Sequence, residues 1–290
     1  MVVAYGIILF NVIGHFGNFN MVLLTVRKSQ LKSKSAYLQC VMCVCHSFCL
    51  TFELPNAFFL LTDQQLCRND CISIILPYIF FINAQSMLML INLIDVFILI
   101  IFPIWYQHSS NTQYFVCMLT APIIYGLIFA FWGIWETNNE IIIFCNPPLA
   151  LIPKVSYLWI MSNFVINSIV AILFVVLVVV IRFSKRRNQQ RDTKRVLRRI
   201  RVIMFVFMFS WYMGVIGVDV IDKLSSGTTM QILQSNMVFF ALICYSQTFY
   251  VIMWRSREYR KAFLQLYGFE KEVKTSLLIS SKYAVRKTTG

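Results

Sequence analysis

CISIILPYIFFINAQSMLMLINLIDVFILIIFPIWY, residues 71–106, is the stretch whose reading decides the fold. It opens on Cys71, runs through some thirty mostly apolar residues, and closes on Asp95-Val96-Phe97 and Pro103-Ile104-Trp105-Tyr106. A helix crossing a membrane at right angles needs only ~20 apolar residues, so this one must tilt or project beyond the hydrocarbon. Its one carboxylate in the far half, Asp95, is costly inside a membrane. Asp95 is therefore expected to face other helices or the aqueous boundary, not lipid.

Working outward, similar apolar blocks recur at about 2–26, 36–62, 72–102, 113–135, 155–183, 202–222 and 231–254. Seven blocks of this length, joined by short polar links, read as seven membrane helices. The 290-residue chain is 59% hydrophobic and 13% charged, against about 45–50% and 25% for soluble domains. The predicted fold is an all-α seven-transmembrane helix bundle. The bundle covers 1–254, an amphipathic membrane-surface helix 255–269, and a disordered cytoplasmic tail 270–290.

Charge gives the orientation. The first link holds Arg27, Lys28, Lys32 and Lys34, residues 182–201 carry ten basic side chains, and nine more follow Trp254. The other side offers only Arg68, Lys154 and Lys223. Positive charge stays inside, so the C-terminus is expected in the cytosol and the N-terminus outside. The net charge of +14 follows from this asymmetry, and no nucleic-acid partner is implied. Membrane lipid and an acidic cytoplasmic partner are the expected contacts. Met1 leads almost directly into the first block, so a removable signal peptide is not expected.

The second block carries Cys40, Cys43, Cys45, His46 and Cys49, then Glu53 and Pro55. Cys40, Cys43 and His46 share a helical face and raise a metal site, but buried thiols more often act as small hydrophobes, and no metal or cofactor is expected. Glu53 lies seven residues beyond His46 on the same face. An intramembrane glutamate points to a functional site. In the tail, Tyr259, Ala262, Phe263, Leu266 and Tyr267 form one apolar stripe fit to lie on a membrane.

These landmarks resemble the rhodopsin-like G-protein-coupled receptors. Cys71, Asp95, Pro103 and Tyr106 are spaced like that family's third helix, and Gly17-Asn18 resembles the pair in its first. Phe207 and Trp211 match its sixth-helix Phe-x-x-Cys-Trp-x-Pro, with Met213 standing where the proline would be. Three departures stand out. Val96 replaces the arginine of Asp-Arg-Tyr, His46 replaces the aspartate that holds sodium, and Thr248-Phe249 replaces Asn-Pro. Within the superfamily, the tail WRSREYR at 254–260 resembles the nematode chemoreceptors called serpentine receptor class SX.

The resemblance implies a sensory-neuron receptor in the plasma membrane, placed in a cilium, that binds an extracellular small molecule or peptide and switches a heterotrimeric G protein. It pairs Cys71 with Cys145 across the outer surface, where a disulfide is chemically sensible. Cys67 with Cys145 stays open as an alternative. Ligand contacts are expected from Glu53, Tyr78, Ile82, Asn83, Asn163, Trp211, Tyr212 and Asp219. Switch roles fall to His46, Asp95, Val96, Phe207 and Trp211, and G-protein contacts to Arg198, Arg199 and Arg201. With no arginine at 96, Asp95 is expected near the headgroup boundary, drawn to the Arg198–Arg201 run through a solvent-weakened attraction of ~1 kcal/mol.

Other readings are narrower. The last block has no lysine for a retinal Schiff base, and Tyr78 stands where amine receptors carry an aspartate. No nucleotide loop or catalytic triad is discernible, so an enzyme is not expected. A channel or transporter routed past Glu53, His46 and Asp95 is one rival, though no internal repeat supports it. A receptor fold that no longer signals is the other.

Overall fold

The structure is a computed structural model and describes residues 2–62, 64, 66–142, 145–183, 202–210, 212–213 and 236–270. Among these, six helices are long and apolar enough to cross a membrane. They are α1 (Val2–Arg27), α2 (Lys34–Thr62), α3 (Arg68–Ile101), α5 (Asn111–Trp135), α7 (Pro153–Phe183) and α8 (Val238–Arg255). The expected sixth span is helical at 202–210 and 212–213, and its remainder lies outside the described residues. Shorter helices include α4 (Pro103–His108), α6 (Pro147–Ala150) and α9 (Arg257–Leu266), with a 3-10 turn at Ser29–Leu31. The arrangement is the all-α bundle that the apolar blocks predict. Helices are the required solution, because hydrocarbon offers no partner to an open backbone N–H or C=O.

α3 is the central element. Its 34 residues span roughly 50 Å at ~1.5 Å each, and it packs against α2, α5, α6 and α7. Buried positions run along it from Cys71 to Val96. The approach to α5 depends on Gly126, where a Cβ would lie 2.8 Å from the Phe80 carbonyl oxygen. α1 packs on α2 and α8 through a similar small residue, Gly14. Outward positions such as Ile123, Ile128 and Phe131 of α5 are exposed, as lipid-facing side chains should be.

One end of the bundle carries the disulfide Cys71–Cys145, with Cα atoms 5.6 Å apart. Cys67 is a free thiol, so the alternative pairing through Cys67 is not the one formed. Beside the disulfide, β1 (Leu66–Cys67) pairs antiparallel with β2 (Ile141–Ile142). Arg68 pins the same loop. Its guanidinium donates to Leu149 O, Asn138 Oδ1 and Glu140 Oε2 at 3.0, 2.7 and 2.7 Å.

At the opposite end Ser33 caps α2 by accepting from the Ala36 amide at 3.1 Å. α3 stops at Ile101, Phe102 turns, and Pro103 opens α4 at the helix position that tolerates proline best. Ser256 caps α9 in the same way as Ser33 caps α2. Part of the apolar stripe of α9 turns onto the protein: Tyr259 and Ala262 are buried, and the Tyr267 hydroxyl donates to Asn20 Oδ1 of α1.

Candidate functional site

On α2 the steps His46, Cys49, Glu53, Asn56 are three, four and three residues, which places all four on one helical face. That face meets α3 and α8. Glu53, only 2% exposed, accepts at Oε1 from the Tyr78 hydroxyl at 2.5 Å and at Oε2 from Asn56 Nδ2 at 2.8 Å. The Tyr78 hydroxyl lies 3.1 Å from that of Tyr245 on α8. A buried carboxylate is thus held by two neutral donors, Asn56 of α2 and Tyr78 of α3, with Tyr245 of α8 behind the second. Among the described residues no lysine or arginine bonds it. A buried acid needs hydrogen bonds or a cation, and here the first kind alone is supplied.

A second polar cluster joins α3 to α7. Asn83 Oδ1 accepts from Trp159 Nε1 at 2.8 Å and from Asn163 Nδ2 at 3.4 Å. Asn163 Oδ1 in turn accepts from the Ser86 hydroxyl at 2.7 Å. Ile82, one residue before Asn83, is buried beside this network. Tyr212 reaches α7 from the sixth-span segment, its hydroxyl 3.4 Å from that of Ser168 and its ring edge-on to Phe164. Phe207 is fully buried. Trp211 and Asp219 lie outside the described residues, as do Arg198, Arg199 and Arg201.

His46, two helical turns from Glu53 on α2, is buried and 5.8 Å from the Tyr245 ring. Neither of its ring nitrogens hydrogen-bonds to a described residue. Cys40 and Cys43 do not join it in a metal-ligand set, and none exists among the described residues. Asn18 donates to the Tyr245 carbonyl at 3.1 Å, so α1 is tied to α8 at this level.

Asp95 takes the first of the two settings expected for it, facing other helices, and not the second, a solvent-weakened place at the headgroup boundary. It is 0% exposed, enclosed within the bundle instead of lying at a wet boundary. Its Oδ1 accepts from the Tyr114 hydroxyl of α5 at 2.5 Å, and Tyr106 of α4 faces the same carboxylate. Burial, then the charge of Asp95, push the Tyr106 phenol above its usual range, which keeps it a proton donor. Neutral hydroxyl donors meet the carboxylate at short range, and the Arg198–Arg201 run expected to attract it lies outside the described residues. The physical reason is that α4 folds back under α3 and brings Tyr106 and Tyr114 together, their rings 5.5 Å apart. Val96 is fully buried as well.

The structure therefore brings Glu53 and Tyr78 together, and Asn83 and Asn163 together. It also adds residues that the sequence did not single out. Asn56 is the acid's second donor and Tyr245 backs the first, Trp159 and Ser86 complete the asparagine pair, and Tyr114 holds Asp95. Asn56 carried a usable signal, since it stands one helical step from Glu53 on the same face.

Set against known families, residues 11–267 match the family described as Serpentine type 7TM GPCR chemoreceptor Srsx. No curated protein matches the chain.

Proposed function

The chain belongs to the serpentine seven-transmembrane chemoreceptor family Srsx, and from that premise we propose that it reports an extracellular small molecule or peptide to a cytoplasmic G protein. The family is one of receptors and not of enzymes, and its members are multi-pass membrane proteins. In our reading the Cys71–Cys145 end faces outward and the basic links face the cytosol, as the positive-inside rule asks. The setting is the plasma membrane of a sensory neuron, in its cilium.

The observation that carries this reading is the Glu53 carboxylate at the junction of α2, α3 and α8. It is buried, lies toward the disulfide end, and is held only by neutral donors. A ligand that competes for Tyr78 or for the carboxylate changes how these three helices seat on one another. Such a ligand shifts the population between two packings in proportion to its differential affinity. The asparagine cluster between α3 and α7 gives a second, buried set of polar groups for the same ligand, with Ile82 next to Asn83 in the chain. Trp211, Tyr212 and Asp219 supply the sixth-span side. The opening at the other end involves Asp95, Phe207 and the basic residues Arg198, Arg199 and Arg201.

One observation favours a second reading, binding without G-protein coupling. Val96 is buried where related receptors place an arginine. Expression in reporter cells separates the two. A panel of odorants, soluble small molecules and peptides is applied while cAMP, cGMP, calcium and membrane current are read in parallel. The proposed function predicts a second-messenger response that Glu53→Ala abolishes at unchanged surface level. Saturable binding with every messenger silent would favour the second reading. A current that depends on Glu53 would favour a channel.

A further inference from the structure

Four basic residues surround the first link, and three of them look like ordinary surface anchors. Arg27 and Lys32 are exposed and Lys28 is half-buried, whereas Lys34 is only 8% exposed. A buried ammonium must have its donors met, and Lys34 has three donors to place. All three are met by the end of α4. Nζ lies 2.6 Å from Tyr106 O, 2.8 Å from Ser109 O and 2.6 Å from Ser109 Oγ. The same atom stands 5.0 Å from the centre of the Tyr106 ring and 4.9 Å from that of Tyr114, within cation–π reach of both.

We propose that Lys34 is a positioning residue that locks α4 to the bundle, standing in for the positive charge that Val96 does not provide. The last carbonyls of a helix lack partners within it and form its negative pole. Lys34 caps that pole on α4 from the start of α2, across 72 and 75 residues of chain. The charge also reaches Asp95 indirectly. The Tyr114 hydroxyl is held by Asp95 while the Tyr114 ring faces the ammonium. Acid and cation thus bracket one ring, and α2, α3, α4 and α5 meet there. Arginine does not suit this seat, because all three oxygens crowd one nitrogen, within 2.8 Å of Nζ, whereas a planar fork spreads its donors over three nitrogens. The lock fixes which face of α4 points away from the protein. That face carries Ile104 and Trp105, 75% and 55% exposed, the surface a cytoplasmic partner meets.

Only that partner contact rests on the receptor reading. The lock itself is testable without a ligand or a G protein. Hydrogen–deuterium exchange over residues 103–110 of the full chain in lipid nanodiscs reads it directly. Lys34→Met should speed exchange there by about tenfold or more, as expected when a capping set of charge-assisted hydrogen bonds is lost. Lys34→Arg should speed it too, and Lys32→Met should not. Asp95→Asn supplies the charge test. It should loosen α4 in the wild-type background and do so much less, or the reverse, beside Lys34→Met. Ser109→Ala, which removes one acceptor and leaves both charges, gives a smaller increase and serves if Lys34→Met does not fold. Exchange unchanged within about twofold in both Lys34→Arg and Ser109→Ala would overturn the proposal. So would equal effects of Asp95→Asn in the two backgrounds, since the ammonium would then have no part in balancing the acid.

Discussion

Replacing Tyr78 by phenylalanine removes one hydroxyl that does two jobs. It donates to Glu53 Oε1 at 2.5 Å and lies 3.1 Å from the Tyr245 hydroxyl. A hydrogen bond to a charged group is worth about 1.5–3 kcal/mol and a neutral one about 1. Tyr78→Phe should therefore cost about 2–4 kcal/mol, with Asn56 left as the acid's sole described donor. Glu53→Gln is the instructive contrast. The glutamine oxygen still accepts from Tyr78, and Asn56 can turn its amide, because Asn56 Oδ1 has no partner among the described residues. No described cation loses a partner, so the expected cost is about 1 kcal/mol or less. Cys40, Cys43, Cys45, Cys49 and Cys244 are all buried thiols, which suits a thiol-reactive dye that lights up on unfolding. Midpoints are compared at one scan rate, because membrane proteins of this kind unfold irreversibly. Tyr78→Phe should melt well below Glu53→Gln, with wild type highest or level with the latter. Were Glu53→Gln to melt as low as Tyr78→Phe, the carboxylate's charge would itself be holding the bundle, and the shell of neutral donors would be the wrong account.

Serine at Cys71 or at Cys145 should lower surface expression equally, with the double variant no worse than either single. Cys67→Ser should be silent. Gly126→Ala should reduce the yield of folded protein by the equivalent of about 1–3 kcal/mol, because the new Cβ meets the Phe80 backbone, which cannot rotate away. Arg68→Lys should loosen the loop at the disulfide end, read as faster exchange over residues 136–142, since an ammonium cannot span Leu149, Asn138 and Glu140 as the guanidinium does. A reporter fused after Gly290 should be cytosolic, and an epitope inserted at Ser226 should label on intact cells; the reverse pattern would invert the assigned orientation.

Much of the fold is legible because hydrophobic length is a one-dimensional signal. Twenty apolar residues between charged links state a membrane helix without any tertiary knowledge. Glu53 and Asp95 are equally conspicuous, since carboxylates in such blocks are rare. Their partners are not, because tyrosine and asparagine in a membrane helix read as packing or interface residues until the helices are docked. Tyr245 is 167 residues from Tyr78, and no local pattern connects them. Lys34 was hidden for a different reason. In a basic link it looks like its neighbours Arg27, Lys28 and Lys32, and only the fold-back of α4 separates a buried cap from a surface anchor. The same helix decides between the two settings open to Asp95: α4 brings Tyr106 against the acid, and no local pattern tells a carboxylate facing helices from one facing water.

The receptor claim is tested most directly by guanine-nucleotide exchange on a G protein, measured in membranes from cells that express the chain, with the strongest compound from the ligand panel. The account predicts exchange that rises with dose, saturates, and is lost in Glu53→Ala at equal surface expression. Saturable binding of that compound with exchange fixed at its basal rate, across the G-protein classes supplied, would contradict it.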